Sequence, residues 1–310
     1  MSLQPDRPLR DLTPVELRAF QDDGVVVAEG LFPESWLARM EEAVDRIVAH
    51  PTVFGGAVSD QGAGFSGDLF VWKQDDDFRD WIFESPASRI AQQVLGAKSV
   101  RHFYDQLFVK PPGCHVPTPW HQDITFWPVD VESRALCSIW ITFDSVKRES
   151  SGLEFVRGSG HWPNRYKAVT PTYDPYMMDS DFEDLPDIDA HRDEYDLYCP
   201  DMSRGDCLIF DAHILHGSSS NYSTENPRRA FSTRWAGEGV RFDPRRATMP
   251  LLWRHGLVSG DEIGGSLFPR VLPERIPEES TVRNEGPEPP DLSILKEIAE
   301  SIKSKASVST

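Results

Sequence analysis

A chain of 310 residues, 39% hydrophobic and rich in tryptophan, is long enough to bury one sizeable core, and it carries neither repeats nor long low-complexity tracts. Its formal net charge of -18 works against phosphate-rich partners, which need clustered Lys and Arg, so neither nucleic acid nor an anionic membrane is an expected partner. No apolar run reaches membrane-spanning length, the N-terminal MSLQPDRPLRDLTP lacks a signal-peptide core, and Cys114, Cys137, Cys199 and Cys207 form no CxxC pair, so the expectation is a cytoplasmic protein with free thiols.

Thr13-Pro14-Val15-Glu16 is a capping box with proline at the first helical position and predicts a helix to about Gln21, closed by the Asp23-Gly24 turn. Val25 to Ala28 reads as a strand. After Pro33, Leu37, Met40, Val44, Ile47 and Val48 recur at helical spacing, giving an amphipathic helix that ends near His50-Pro51. Residues 54–70 are rich in Gly and Ser, lack periodicity and suit a mobile loop over a site opening. Ser85-Pro86 starts another helix, with Gly96 placed to cap its end.

From Val100 the pattern changes. His102 to Val109, Pro119 to Phe126, Leu136 to Phe143, Leu153 to Val156, Asp206 to Phe210 and Arg229 to Trp235 are short β-branched or aromatic runs between turn residues, which suggests a sandwich or barrel. Thr170 to Asp196 fits neither helix nor strand cleanly, and a loop that long in a compact domain is usually functional or disordered. Pro287 to Pro290 reads as a linker, and Leu292, Leu295, Ile298 and Ile302 form the stripe of a terminal helix. That helix either docks on its own domain or makes a homodimer contact.

Chemistry concentrates in Pro119-Trp120-His121-Gln122-Asp123. In an extended segment, residues two apart share a face, so His121 and Asp123 would stand side by side. Alone, such a pair is more often structural. A third ligand from a distant strand would complete a two-histidine, one-carboxylate triad of the kind that holds non-haem Fe(II) with positions left open, and His216 follows an apolar run that could present it.

Several segments occur together in a recognisable order. They are Asp105-Gln106-Leu107-Phe108-Val109-Lys110-Pro111-Pro112-Gly113, Pro119 to Asp123, Ser151-Gly152-Leu153-Glu154-Phe155-Val156, Gly158-Ser159-Gly160-His161, Gly205-Asp206, His216-Gly217-Ser218, Asn221 and Pro227-Arg228-Arg229-Ala230. Through them the chain resembles the phytanoyl-CoA dioxygenase (PhyH-like) family of Fe(II)/2-oxoglutarate oxygenases over roughly residues 12 to 240. The resemblance implies a mainly β fold with flanking helices: a double-stranded β-helix (jelly roll, cupin-like) core at about 100–240. Residues 1–265 would form one domain, and 266–310 a C-terminal extension with linker and helix.

It also implies Fe(II), 2-oxoglutarate and O2 as cofactors, with His121, Asp123 and His216 as metal ligands and Arg228 on the far carboxylate of 2-oxoglutarate. Arg228 stands one residue further from His216 than is usual in the family, which leaves Arg229 as the fallback. Gln106, Lys110 and Ser218 fall where relatives contact the cosubstrate. Related halogenases replace the carboxylate ligand with a small residue, so Asp123 disfavours chlorination. His213 matches the pattern less well than His216 and is expected to be a supporting or surface residue.

Strand parity would place Trp127 beside the metal, with Phe126 as a second pocket aromatic. The expected activity is hydroxylation of an aliphatic C–H in a small molecule, giving succinate and CO2 from 2-oxoglutarate. Two other classes stay open: a cupin-like binding protein without turnover, and a metal-dependent hydrolase or isomerase on the same fold. An acidic segment from Tyr173 to Asp196 argues mildly against a coenzyme A thioester.

Overall fold

The computed structural model describes residues 4–55, 59, 64–169, 180–273 and 288–297. Helix α1 (Pro14–Asp23) begins with the expected capping box. Thr13 accepts from the Glu16 amide while the Glu16 carboxylate accepts from the Thr13 amide, and Gly24 ends the helix at φ 81°, where a side chain would be strained. Strand β1 (Val25–Ala28) follows, then α2 (Glu34–Ala49), which buries Trp36, Leu37, Met40, Ala43, Val44 and Ile47 on one face. Val48 lies outside that stripe and is exposed.

Part of the expected 54–70 loop is ordered sheet: β2 (Ser66–Leu69) pairs antiparallel with β3 (Val100–Lys110). The Asp68 carboxylate explains how a glycine-rich stretch can hold a strand, because it accepts from the Thr52 amide and hydroxyl and so ties the loop's two ends together. A helix not foreseen in the sequence, α3 (Asp76–Glu84), is capped by the Asp75 side chain and buries Phe78, Trp81, Ile82 and Phe83. Helix α4 (Ala87–Leu95) ends at Gly96 as expected.

The remaining strands are β4 (Thr118–His121), β5 (Leu136–Thr142), β6 (Leu153–Val156), β7 (Leu197–Tyr198), β8 (Cys207–Asp211), β9 (His216–Ser218), β10 (Arg228–Ala236) and β11 (Arg270–Leu272). They form two antiparallel sheets. The larger runs β1-β8-β5-β10-β3-β11, with β2 also on β3; the smaller runs β4-β9-β6-β7. One face of the large sheet carries Leu107, Val109, Ile139, Ile141, Ile209, Phe231 and Trp235 against α2, α3 and α4. The other face carries Trp140, Leu208, Phe210 and Ala230, which pack on Leu153 and Phe155 of the small sheet. This is the double-stranded β-helix, with helices covering one side only. Strand β11 and Phe268 join the packed unit, so it reaches beyond residue 265 to at least Leu272.

The expected strand from Pro119 to Phe126 breaks at His121. Residues Asp123–Phe126 form a short helix, α5, so strand parity does not bring His121 and Asp123 together. One local and one long-range hydrogen bond take the chain out of the sheet: the Thr125 hydroxyl donates to the Gln122 carbonyl, and the Ile124 amide donates to the Ala212 carbonyl. Residues 293–297 are helical, but Ile294 packs on the core while Leu292 and Leu295 are exposed; Ile298 and Ile302 lie outside the described residues. So do residues 170–179 of the long acidic segment, and 180–196 is irregular apart from a 3-10 turn at Arg192–Glu194.

Candidate metal centre

Strands β4 and β9 are neighbours, and His121 and His216 are direct cross-strand partners. Their ring centroids are 4.2 Å apart. Close approach here depends on Gly217: a Cβ at that position would sit 2.9 Å from the Thr118 carbonyl oxygen and 3.2 Å from the Trp120 amide nitrogen. The turn into α5 then brings Asp123 underneath. Its Oδ1 lies 3.6 Å from Nε2 of His121 and 4.0 Å from Nε2 of His216, and one donor atom from each residue lies within 4.8 Å of the others.

The proton positions follow from the backbone. Nδ1 of His121 is 2.8 Å from the Pro119 carbonyl, and Nδ1 of His216 is 3.1 Å from the Ile214 carbonyl. A carbonyl only accepts, so each neutral ring carries its proton on Nδ1 and turns a bare Nε2 lone pair toward Asp123. Two lone pairs and a carboxylate oxygen facing one another at these distances repel unless a cation lies among them. The donor set therefore fits a divalent metal.

Electrostatics keep the set in its ligating form. Burial, reinforced by neighbouring His121, pushes His216 down to about 3. For Asp123, burial alone would raise the carboxyl, but in the metal-free chain any proton taken up on Nε2 of His121 or His216, together with the Arg234 guanidinium, outweighs burial and holds the group well below the usual carboxylate range. The hydroxyl of Ser138, on β5, donates to Oδ2 of Asp123 at 3.1 Å, which leaves Oδ1 for the metal. Phe126 meets His121 edge-on at 5.5 Å.

On the inner face of the large sheet, which faces these strands, lie two buried basic side chains. Arg228 and Lys110 are cross-strand partners on β10 and β3. Arg228 is 1% exposed, lies near the Phe108 and Trp140 rings, and has no ion pair or side-chain hydrogen bond among the described residues; burial lowers it to about 10. Lys110 is held by hydroxyls alone, from Thr118, Ser151 and Ser218, and by the Ser219 carbonyl. Burial, then the charge of Arg228, pushes Lys110 down to about 6. Two like charges set opposite each other and out of water are costly, and a bound dianion would relieve that cost. Arg229 points the other way, to Asp144 at 2.9 Å and Asp45 at 3.0 Å, so it is already neutralised.

The other expected residues fall into distinct places. Ser218 joins the lysine's hydroxyl cluster. Gln106 accepts from Arg234 at 3.2 Å rather than facing Arg228. Trp127 is fully buried, and its indole N–H donates to the Tyr104 hydroxyl at 2.8 Å, so it backs the inner face from within the core. His213 is not at the surface. It is buried, with one ring nitrogen on Asp211 and the other on the Val131 carbonyl, outside the triad. Ser138, Ser151, Tyr104 and Arg234 went unforeseen. The face parity that groups Arg228 with Ala230 and Ser232 reaches Arg234 two residues later, and was the signal available for it.

Comparison with known proteins gives a consistent result. The family model described as Phytanoyl-CoA dioxygenase (PhyH) matches residues 20–230. A curated relative, the ectoine dioxygenase of Bordetella parapertussis, is 24% identical over 221 residues, covering 67% of this chain and 70% of its own. Among solved structures, the non-heme alpha ketoglutarate dependent carbocyclase SnoK from nogalamycin biosynthesis superposes with a TM-score of 0.67 at 20% identity, covering 86% of this chain and 99% of its own. EctD from S. alaskensis, crystallised with 2-oxoglutarate and 5-hydroxyectoine, gives 0.60 at 18% identity, with 80% and 86% covered.

Proposed function

The chain belongs to the phytanoyl-CoA dioxygenase family, and from that premise we propose that it is an Fe(II)- and 2-oxoglutarate-dependent dioxygenase that hydroxylates an aliphatic C–H of a small molecule. When bound, the iron and 2-oxoglutarate supply the oxidising power, with O2 consumed and succinate and CO2 released. The observation that carries this reading is one interior, between the two sheets, with two complementary demands: a donor trio lacking a cation, and a pair of buried basic side chains lacking an anion.

In this reading His121, Asp123 and His216 hold the metal. Arg228 takes the far carboxylate of 2-oxoglutarate through its planar fork, and Lys110 with Ser218 adds charge and hydroxyl contact. Ser138 fixes the orientation of Asp123. Phe126 shields the open side of His121, and Trp127 supports the pocket through Tyr104. Retention of Asp123 favours oxygenation over halogenation. Solved relatives include a carbocyclase, an epimerase and EctD crystallised with 5-hydroxyectoine; hydroxylation is the outcome proposed for this chain. A net charge of -18 favours a small molecule over a nucleic acid as the partner. No helix among the described residues is long and apolar enough to cross a membrane.

The test is anaerobic titration of Fe(II)-loaded protein with 2-oxoglutarate, followed by exposure to O2. Wild type should show a visible charge-transfer band and form succinate, while His216→Ala, folded by circular dichroism, should show neither. A band without succinate would favour a binding protein over an enzyme, and absence of both from wild type would end the proposal.

A further inference from the structure

Arg234 is the buried cation that the reading above leaves unused. It lies on the same inner face of β10 as Arg228, six residues further along, or roughly 20 Å of backbone. Its cross-strand partners are Ser138 on β5 and Tyr104 on β3. Ser138 is the residue that holds Asp123, so Arg234 stands at the carboxylate end of the metal site, whereas Arg228 and Lys110 stand at the Ser218 end.

The guanidinium is 4% exposed and has no carboxylate within ion-pair distance among the described residues. It stacks on Tyr104 at 4.4 Å from the ring centroid. Two of its N–H groups reach neutral oxygens at long range, the Ser232 carbonyl at 3.3 Å and the Gln106 amide at 3.2 Å, and its Nε has no partner. Burying a cation on neutral acceptors is expensive, and a fork with donors to spare is shaped for a planar anion. In the metal-free chain Asp123 is the nearby negative charge. Once a divalent metal claims Asp123, and the Arg228 and Lys110 pair claims the far carboxylate of the cosubstrate, Arg234 has no counter-charge.

We propose that Arg234 binds a carboxylate on the substrate, so that the molecule oxidised is an organic acid held on the Asp123 side of the metal. This rests on the oxygenase reading and adds the substrate's chemical class to it. A cosubstrate anchored at Arg228 would approach the metal from the Ser218 side, so a carboxylate held by Arg234, beside Tyr104 and Ser138, would belong to a second molecule. Arg234 is thus a specificity-determining residue, and the molecule's apolar remainder would face Phe108 and Phe126.

The experiment is calorimetric binding to the anaerobic Fe(II)/2-oxoglutarate protein, using benzoate, cyclohexanecarboxylate and decanoate, each beside its primary amide. Wild type should bind at least one acid about tenfold or more tightly than its amide, the size expected for one charge-assisted hydrogen-bond pair. Arg234→Gln should bring acid and amide within about twofold, and Arg234→Lys should recover part of the preference, which a purely structural role would not do. The 2-oxoglutarate charge-transfer titration runs in parallel: it should survive in Arg234→Gln and fail in Arg228→Gln. No acid preference in wild type overturns the proposal, as does a preference that persists in Arg234→Gln. Loss of 2-oxoglutarate binding in Arg234→Gln to the degree seen for Arg228→Gln also overturns it, because Arg234 would then serve the cosubstrate. Failure of wild type to bind 2-oxoglutarate at all would instead sink the oxygenase reading, while the acid-to-amide ratio would still report on Arg234.

Discussion

The two faces of strand β10 follow opposite rules. On the outer face, Arg229 is neutralised by Asp144 and Asp45, Phe231 packs edge-on against Phe78 at 4.8 Å, and the Trp235 indole donates to Thr233. The polar side chains that β10 itself puts there, Arg229, Thr233 and Trp235, all find partners inside the chain. On the inner face, Arg228 and Arg234 are also buried, yet neither has an ion-pair partner among the described residues. The outer face is built for stability; the inner face keeps unmet polar demands that only added ligands satisfy. Adjacent residues, Arg228 and Arg229, divide between the two.

The largest expected effect tests that division directly. Phe231→Ala should cost about 3–5 kcal/mol of folding stability, the range for a fully buried aromatic, while leaving 2-oxoglutarate affinity in the folded fraction unchanged. Arg228→Met should do the reverse, keeping or raising the urea midpoint, since a buried unpaired charge is replaced by a side chain of similar length, and removing 2-oxoglutarate binding. If Arg228→Met unfolded the protein as readily as Phe231→Ala, the contrast between faces would collapse.

A smaller effect is expected one strand away. Ser138→Ala removes the hydrogen bond that orients Asp123 and should weaken Fe(II) binding by roughly 10–100-fold, read by competition with a chelator, with little change in thermal midpoint. Unchanged metal affinity would mean that the Asp123 carboxylate holds its pose without help.

The smallest expected effect is a dependence on pH. Lys110 falls from its ordinary 10.5 to about 6 in the folded chain, so between those values the unfolded chain binds the proton and the folded chain does not. Its contribution to stability therefore declines as pH drops from 10.5 to about 6 and is flat below that. Lys110→Met should remove this part of the slope, measured as the difference between urea midpoints of mutant and wild type at pH 9 and pH 7. Saturating 2-oxoglutarate should reduce the wild-type slope by restoring charge to the lysine. Equal slopes in mutant and wild type would show that Lys110 stays charged in the fold.

Much of the outer face could be read from the residues. The capping box at Thr13, the stripe of α2 and the β-branched strands are local patterns, and they appear nearly where periodicity puts them. Helix α3 has a fair start signal in Asp75, Asp76 and Asp77, but its nine residues are too short a run for the spacing of Phe78, Trp81, Ile82 and Phe83 to stand out as helical. At the centre, His121, Asp123 and His216 do converge, but not by strand parity. His121 and Asp123 converge through a strand-to-helix turn fixed by Thr125 and Ile124, which depends on partners distant in the chain. Arg234 was passed over because a lone arginine in a strand announces nothing until its neighbours prove neutral. Trp127 was placed by parity in a strand that ends six residues before it, and it lies in the core instead.

Gly217 makes the separation of the two histidines a matter of a missing methyl. Its hydrogen lets β9 lie against the Thr118 carbonyl, and the same contact governs how far Nε2 of His216 stands from Nε2 of His121. Widening the strand spacing by a few tenths of an ångström would leave every member of the trio present and the hydrogen-bond ladder largely intact, yet move the two rings apart. The geometry of the donor set is thus written partly in backbone clearance, at a residue outside the set.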